Sequence, residues 1–385
     1  MKRLRVFSVV FCAALTVGFF NSARADEPQP HPGGPSEKIG EVHFLTSCGA
    51  EAQKRFDRAV ALLHSFWYEE SEKAFRAAAE AEPACAMAYW GIAMSNFHPL
   101  WAPPTPAELA RGREALEEAK RHPPKSERER DYLAAIESFY RDAETLDHRT
   151  RALAYEKAME RLAGKHPNDR EAAIFYALAL DGTALPTDKS YANQKKAGEI
   201  LTKIFEKAPD HPGVAHYIIH SYDYPPLARL ALPAARRYAK IAPSSPHAQH
   251  MPSHIFTRLG LWKEAIESNL ASAAAAKAHV EKKQPGAASF EQLHAMDYLM
   301  YAHLQLGQDG EAKRTLDEIR RMDQVDNPSF VSAYAFAAVP ARWALERRNW
   351  AEASALTPQP ASFPWGRHRA SEAIIHFARA LGLAR

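Results

Sequence analysis

One recurring spacing limits what this chain can fold into. An aromatic residue is followed by a small one, a large one, another small one and then a proline, as in Tyr68-x-x-Ser71-x-x-x-Phe75-x-x-Ala78-x-x-x-x-Pro83. Related runs read Gly260-x-Trp262-x-x-Ala265-x-x-x-Asn269-x-x-Ser272, then Gly307 with Ala312, Leu316 and Ile319, then Asn349-Trp350-x-x-Ala353. Pro209 and Pro243 close two further units 34 residues apart. A small residue lets two helices approach, a large one fills the next groove, and proline stops the helix. From about residue 48 onward alanine is abundant, β-branched runs are absent, and the prolines sit between apolar-periodic segments. This predicts about sixteen helices, most of about 12–18 residues, and no strand. About 360 residues exceed a usual single core. A repeat architecture escapes that limit, because each unit packs only on its neighbours.

These positions resemble the second-helix consensus of the tetratricopeptide repeat (TPR). The resemblance covers most of residues 50–360 and is strong for the units ending near 83, 243, 278 and 322. It fades at about 100–190, where Pro103-Pro104, Pro123-Pro124 and a charge-rich segment interrupt the pattern. More narrowly, the strings LLHSFWYEE, CAMAYWGIAMSNFHPLW, HPGVAHYIIHSY and SPHAQHMPSHIFTRLGLW look like a family of exported bacterial TPR proteins. The resemblance implies an all-α, TPR-like helical-hairpin solenoid of about eight helix pairs, wound as a right-handed superhelix over residues 48–385. It implies no particular chemistry. In such solenoids the first helix of each repeat lines a concave groove.

The N-terminus reads as a processing segment. Lys2, Arg3 and Arg5 precede an apolar run over Val6 to Phe20, and Ala23-Arg24-Ala25 fits a small-residue cleavage site. Residues 1–25 are therefore expected to be a signal peptide and residues 26–47, rich in proline and glycine at their start, a flexible leader. Export to the periplasm or beyond follows, with no transmembrane segment after cleavage. Four of the 49 basic residues lie in residues 1–25, which leaves 45 against 46 acidic residues. That balance argues against a nucleic-acid partner. Cys48 and Cys85 remain, an even pair that fits one disulfide in an oxidising compartment and equally two buried thiols.

The chemistry concentrates in histidine. Seven of the 18 fall in three blocks: HYIIHSYDY with His216 and His220, SPHAQHMPSHIF with His247, His250 and His254, and EQLHAMDYLMYAH with His294 and His303. On a helix, His216 and His220 lie about 40° apart and His247 and His254 about 20° apart. All three blocks fall on helices expected to line the groove. Histidine is the commonest metal ligand, and converging neutral imidazoles suit zinc or copper. His216, His220, His250 and His254, at i, i+4 spacing, form the expected metal ligand set. His64, Trp101, Tyr217, His247, Arg258, His294, Asp297 and Tyr298 are expected to contact a ligand. Pro252 must kink its helix or start a new one.

Two function classes follow. One is a binding or scaffold protein whose groove takes a peptide, a protein segment or a small ligand, with or without a metal. The other is an enzyme with a mononuclear zinc or copper centre, in which His247, Tyr217 or Asp297 handles protons. No HExxH motif, nucleophile elbow or phosphate-binding glycine loop is present.

Overall fold

The computed structural model describes residues 37–100 and 102–385. The expected signal peptide, the first half of the leader, and Trp101 lie outside the described residues. Those described form eighteen α-helices and no sheet; one isolated bridge joins Ala288 to Val325. The helices pack in pairs: α1 (Ala50–His64) with α2 (Tyr68–Ala81), α3 (Ala86–Ser95) with α4 (Pro106–Arg121), α5 (Glu127–Tyr140) with α6 (His148–Lys165), and α7 (Arg170–Thr183) with α8 (Ala192–Phe205). The series continues with α9 (Pro212–Tyr222) on α10 (Ala228–Ile241), and α11 (Pro246–His250) with α12 (Pro252–Arg258) on α13 (Trp262–Lys283). Then come α14 (Phe290–Gln305) with α15 (Asp309–Ile319), α16 (Phe330–Glu346) with α17 (Trp350–Ser354), and α18 (Arg369–Leu383) against that last pair. This is an all-α, TPR-like helical-hairpin solenoid.

Local chemistry sets the helix starts. Thr105 with Glu108 and Ser126 with Glu129 form reciprocal capping boxes, and Asp147, Asp169, Ser245 and Ser289 cap with a side-chain oxygen. Pro106, Pro212 and Pro246 stand in the first helical turn, where no backbone donor is needed. The stretch at about 100–190 continues the stack as helices α4 to α7, despite its weak repeat signature. Two prolines depart from the expectation that all lie between helices: Pro233 is inside α10 and Pro340 inside α16. Pro233 is on the exposed side, where water can satisfy the carbonyl it frees.

Two apolar cores result. One runs from Ile39 through α13; the other is built from α14 to α18. The first holds two features that pairwise repeat stacking does not require. The stack curves far enough that α1 meets α9. Gly213 makes this approach feasible, because a Cβ there would stand 2.4 Å from the His64 ring. Residues 38–47, assigned to the leader by their sequence, also thread the interior. The Lys38 N–H donates to Ser244 Oγ, and Phe44 is buried against Phe56 of α1, Trp90 of α3 and Tyr132 of α5. Val42 and Phe44 turn inward while Glu41, His43 and Leu45 turn out, the alternation of an extended strand. Cys48 and Cys85 are bridged, which ties the end of this segment to the N-cap of α3. No helix among the described residues is long and apolar enough to cross a membrane.

Candidate metal centre

Six histidines stand side by side, with neighbouring ring centroids 4.3 to 6.4 Å apart. They come from the inner helices of three consecutive pairs: His216 and His220 from α9, His247 and His250 from α11, His254 from α12 and His294 from α14. The helix expected to kink at Pro252 is broken there into α11 and α12, with Met251 between them still at right-handed helical angles. His250 and His254 keep their one-turn spacing across the break.

The six divide into two trios, His216–His220–His247 and His250–His254–His294, each offering ligand atoms within 4.8 Å of one another. The four residues grouped from their sequence as one ligand set are thus split between two places. His247 and His294, expected as ligand contacts, stand with the imidazoles of the trios instead. In the first trio, the Nε2 of His216 lies 3.1 Å from Nε2 of His247 and 3.1 Å from Nε2 of His220. In the second, Nε2 of His250 lies 2.9 Å from Nε2 of His254, and the His250 and His294 rings are 4.3 Å apart.

The opposite ring nitrogens decide the tautomers. His216 Nδ1–H donates to the His64 carbonyl at 2.6 Å. His250 Nδ1–H donates to Asn269 Oδ1 at 2.7 Å, and Asn269 is oriented by donating its amide to the Ala265 carbonyl. His254 Nδ1–H donates to the Asp223 carboxylate at 2.8 Å, which also accepts from Arg258. A neutral imidazole carries one proton. With Nδ1 protonated, the Nε2 atoms of His216, His250 and His254 present lone pairs to the trios. Burial and neighbouring imidazoles push His216, His247 and His250 well below the ordinary histidine range. Burial and His254 push His220 and His294 down to about 3.

The remaining expected residues occupy other places. His64 is in the core, its Nε2 on Glu171 and its Nδ1 on the Tyr217 hydroxyl; it serves the site through its carbonyl. Glu171 also accepts from His211, so this third group of potential ligands saturates itself with hydrogen bonds. His303 bonds Gln308 at the far end of α14. Arg258 pairs with Asp223, and Asp297 with Arg342. These four line a cavity of about 280 Å³ with His254, His294, Tyr298, Tyr301 and Tyr334. Tyr298 OH lies 3.4 Å from His254 Nε2.

Three residues that matter here escape a reading of motifs. Asn269 stands at a consensus position of the repeat, where an amide in a buried row was the available signal. Arg342 lies on α16, beyond the histidine blocks. Phe66 rests its ring 4.4 Å from that of His216 and takes a left-handed backbone angle, φ 54°, that no local sequence rule foretells.

No protein-family model and no curated protein matches the chain. Among solved structures, a human IFIT1 dimer with PPP-AAAA is similar at 15% identity, covering 78% of this chain and 70% of that one, with a TM-score of 0.38.

Proposed function

We propose that the chain is an exported, metal-dependent binding protein of the helical-hairpin type. Its inner histidine wall holds zinc or copper, and a small ligand reaches the metal through the cavity beside His254 and His294. One observation carries the reading. His250 and His254 have each committed Nδ1 to an acceptor, which leaves two lone pairs facing each other at 2.9 Å. Neutral imidazoles repel in that arrangement, and burial opposes an extra proton on His250. A cation relieves it directly. Two nitrogens at 2.0–2.1 Å from one ion lie about 2.8–3.4 Å apart for angles from square to tetrahedral.

The donor set supports the choice of metal. The trios contain imidazole alone, which suits zinc and copper and not magnesium or calcium. Acceptors on the far ring nitrogens are the outer partners that ligating histidines use to hold ring orientation. The ligand is small because the N-terminal interior is already filled by residues 38–47 and because the cavity at His254 is about 280 Å³. Three protein ligands leave a coordination position for that ligand. The same open position is what a zinc or copper enzyme uses, so activity assays on the loaded protein separate binding from catalysis.

The test is the metal content of the purified protein beside a His250→Ala/His254→Ala variant. Zinc or copper bound in the parent and removed by chelator, with the ion of this trio lost from a variant of unchanged helical content, is the expected result. A parent that takes up no metal after reconstitution sinks the reading.

A further inference from the structure

We infer that the protein carries two transition-metal sites, one on each trio, generated by repetition of a single ligand pattern along the solenoid. The inference rests on the metal reading above and adds the second ion.

The histidine pairs of the two trios are copies. His216 and His220 recur as His250 and His254, each exactly one repeat of 34 residues later. Each pair is completed by one histidine from the next inner helix, His247 from α11 for the first and His294 from α14 for the second. The internal geometry repeats as well. In the first trio the central His216 ring lies 4.8 and 4.9 Å from its flanking rings, which are 6.3 Å apart. In the second the central His250 ring lies 4.9 and 4.3 Å from its flanks, which are 6.2 Å apart. Both central histidines are buried, and both donate Nδ1–H to a fixed oxygen, the His64 carbonyl or Asn269.

One ion cannot serve both. Zinc takes about four ligands, and six imidazoles in two groups exceed that. The single lone pair on His216 Nε2 faces two other Nε2 atoms at 3.1 Å, and it accepts only one good hydrogen bond. An ion lets all three nitrogens point at one centre. The cover over this trio carries strain of the kind found at built sites. Phe66 sits at φ 54°, a left-handed conformation that a bulky residue rarely adopts, and its ring lies within 5.7 Å of the rings of His216, His220 and His247.

The experiment counts ions in the full chain, stripped of metal and reloaded with zinc or copper(II). Calorimetric titration of the parent needs no variant and is expected to reach two equivalents. His220→Ala and His294→Ala each remove a flanking ligand that is partly exposed, so the buried centre is least disturbed. Each is expected to retain one equivalent, and the double variant none. One equivalent in the parent, abolished by either variant, identifies a single shared ion and overturns the inference. One equivalent that survives His220→Ala and is lost in His294→Ala also overturns it, by leaving the first trio without an ion. Both of these outcomes keep the metal reading, whereas no uptake by the parent ends that reading as well.

Discussion

Asp223 shows how much a single side chain off the histidine wall can decide. One of its oxygens accepts from His254 Nδ1 and the other from Arg258 Nε, at 2.8 and 2.9 Å. Burial raises its carboxyl, but His254 and Arg258 outweigh this and hold it below the ordinary aspartate range. It therefore stays ionised, fixes the His254 tautomer and makes Nε2 a better donor to a metal. Asp223→Ala is expected to weaken metal affinity about 10–100-fold while leaving stoichiometry intact. A competition titration against a chelator of known affinity checks this. If the loss came only from freeing the Arg258 charge, Asp223→Ala/Arg258→Ala would restore affinity. The residue-level lesson is that the imidazoles were visible as spacing, whereas their outer partners were not. Asp223, Asn269 and the His64 carbonyl come from three different helices or their ends, and no local pattern ties them together.

At the scale of elements, Glu171 acts as a clasp. It lies in the first turn of α7 and accepts from His64 at the end of α1 and from His211 at the N-cap of α9. This joins the first, fourth and fifth helix pairs around one buried carboxylate. Burial alone would raise Glu171, but His211 and His64 hold it well below the ordinary glutamate range. A carboxyl with a depressed folded-state pKa contributes stability that is complete above its unfolded pKa and is lost as pH falls below it. The stability difference between the parent and Glu171→Gln is therefore expected to be largest near neutral pH. It should shrink as pH falls from about 5 to about 3, as measured by urea denaturation at each pH. A difference that is constant across this range would show that the clasp works by shape and not by charge. The break between α11 and α12 is the other element-level device. Pro252 forces it between His250 and His254, which serve the second trio, while His247 of the first shares α11 with His250.

For the whole molecule, the decisive event is that the solenoid closes on itself. The α1–α9 contact and the segment 38–47, with Ile39, Val42 and Phe44 buried, turn an open groove into an occupied interior, and leave a small cavity at the second trio. The Cys48–Cys85 bridge pins that segment to α3 and closes a loop spanning 37 residues. Replacing both cysteines by serine is expected to lower stability by about 3–4 kcal/mol through loop entropy. Chemical denaturation of the parent with and without reductant checks this. Loss of metal uptake in the same variant would show that the segment also supports the site, because Phe44 and Phe66 pack in one continuous core.

The hairpin architecture was legible in the chain because repeat packing is local. Small and large residues at fixed spacing, with prolines after them, state which faces meet, and each pair needs only its neighbours. The histidine blocks were legible for the same reason, since a one-turn spacing puts two rings on one face whatever the rest of the protein does. Tertiary structure alone decided how the six rings divide, which of their nitrogens are committed, and what fills the interior. Those depend on the curvature accumulated over five helix pairs, which brings residue 64 to residue 216 across more than 150 positions. Small packing angles at each interface add up to that curvature, and no single interval of sequence encodes their sum.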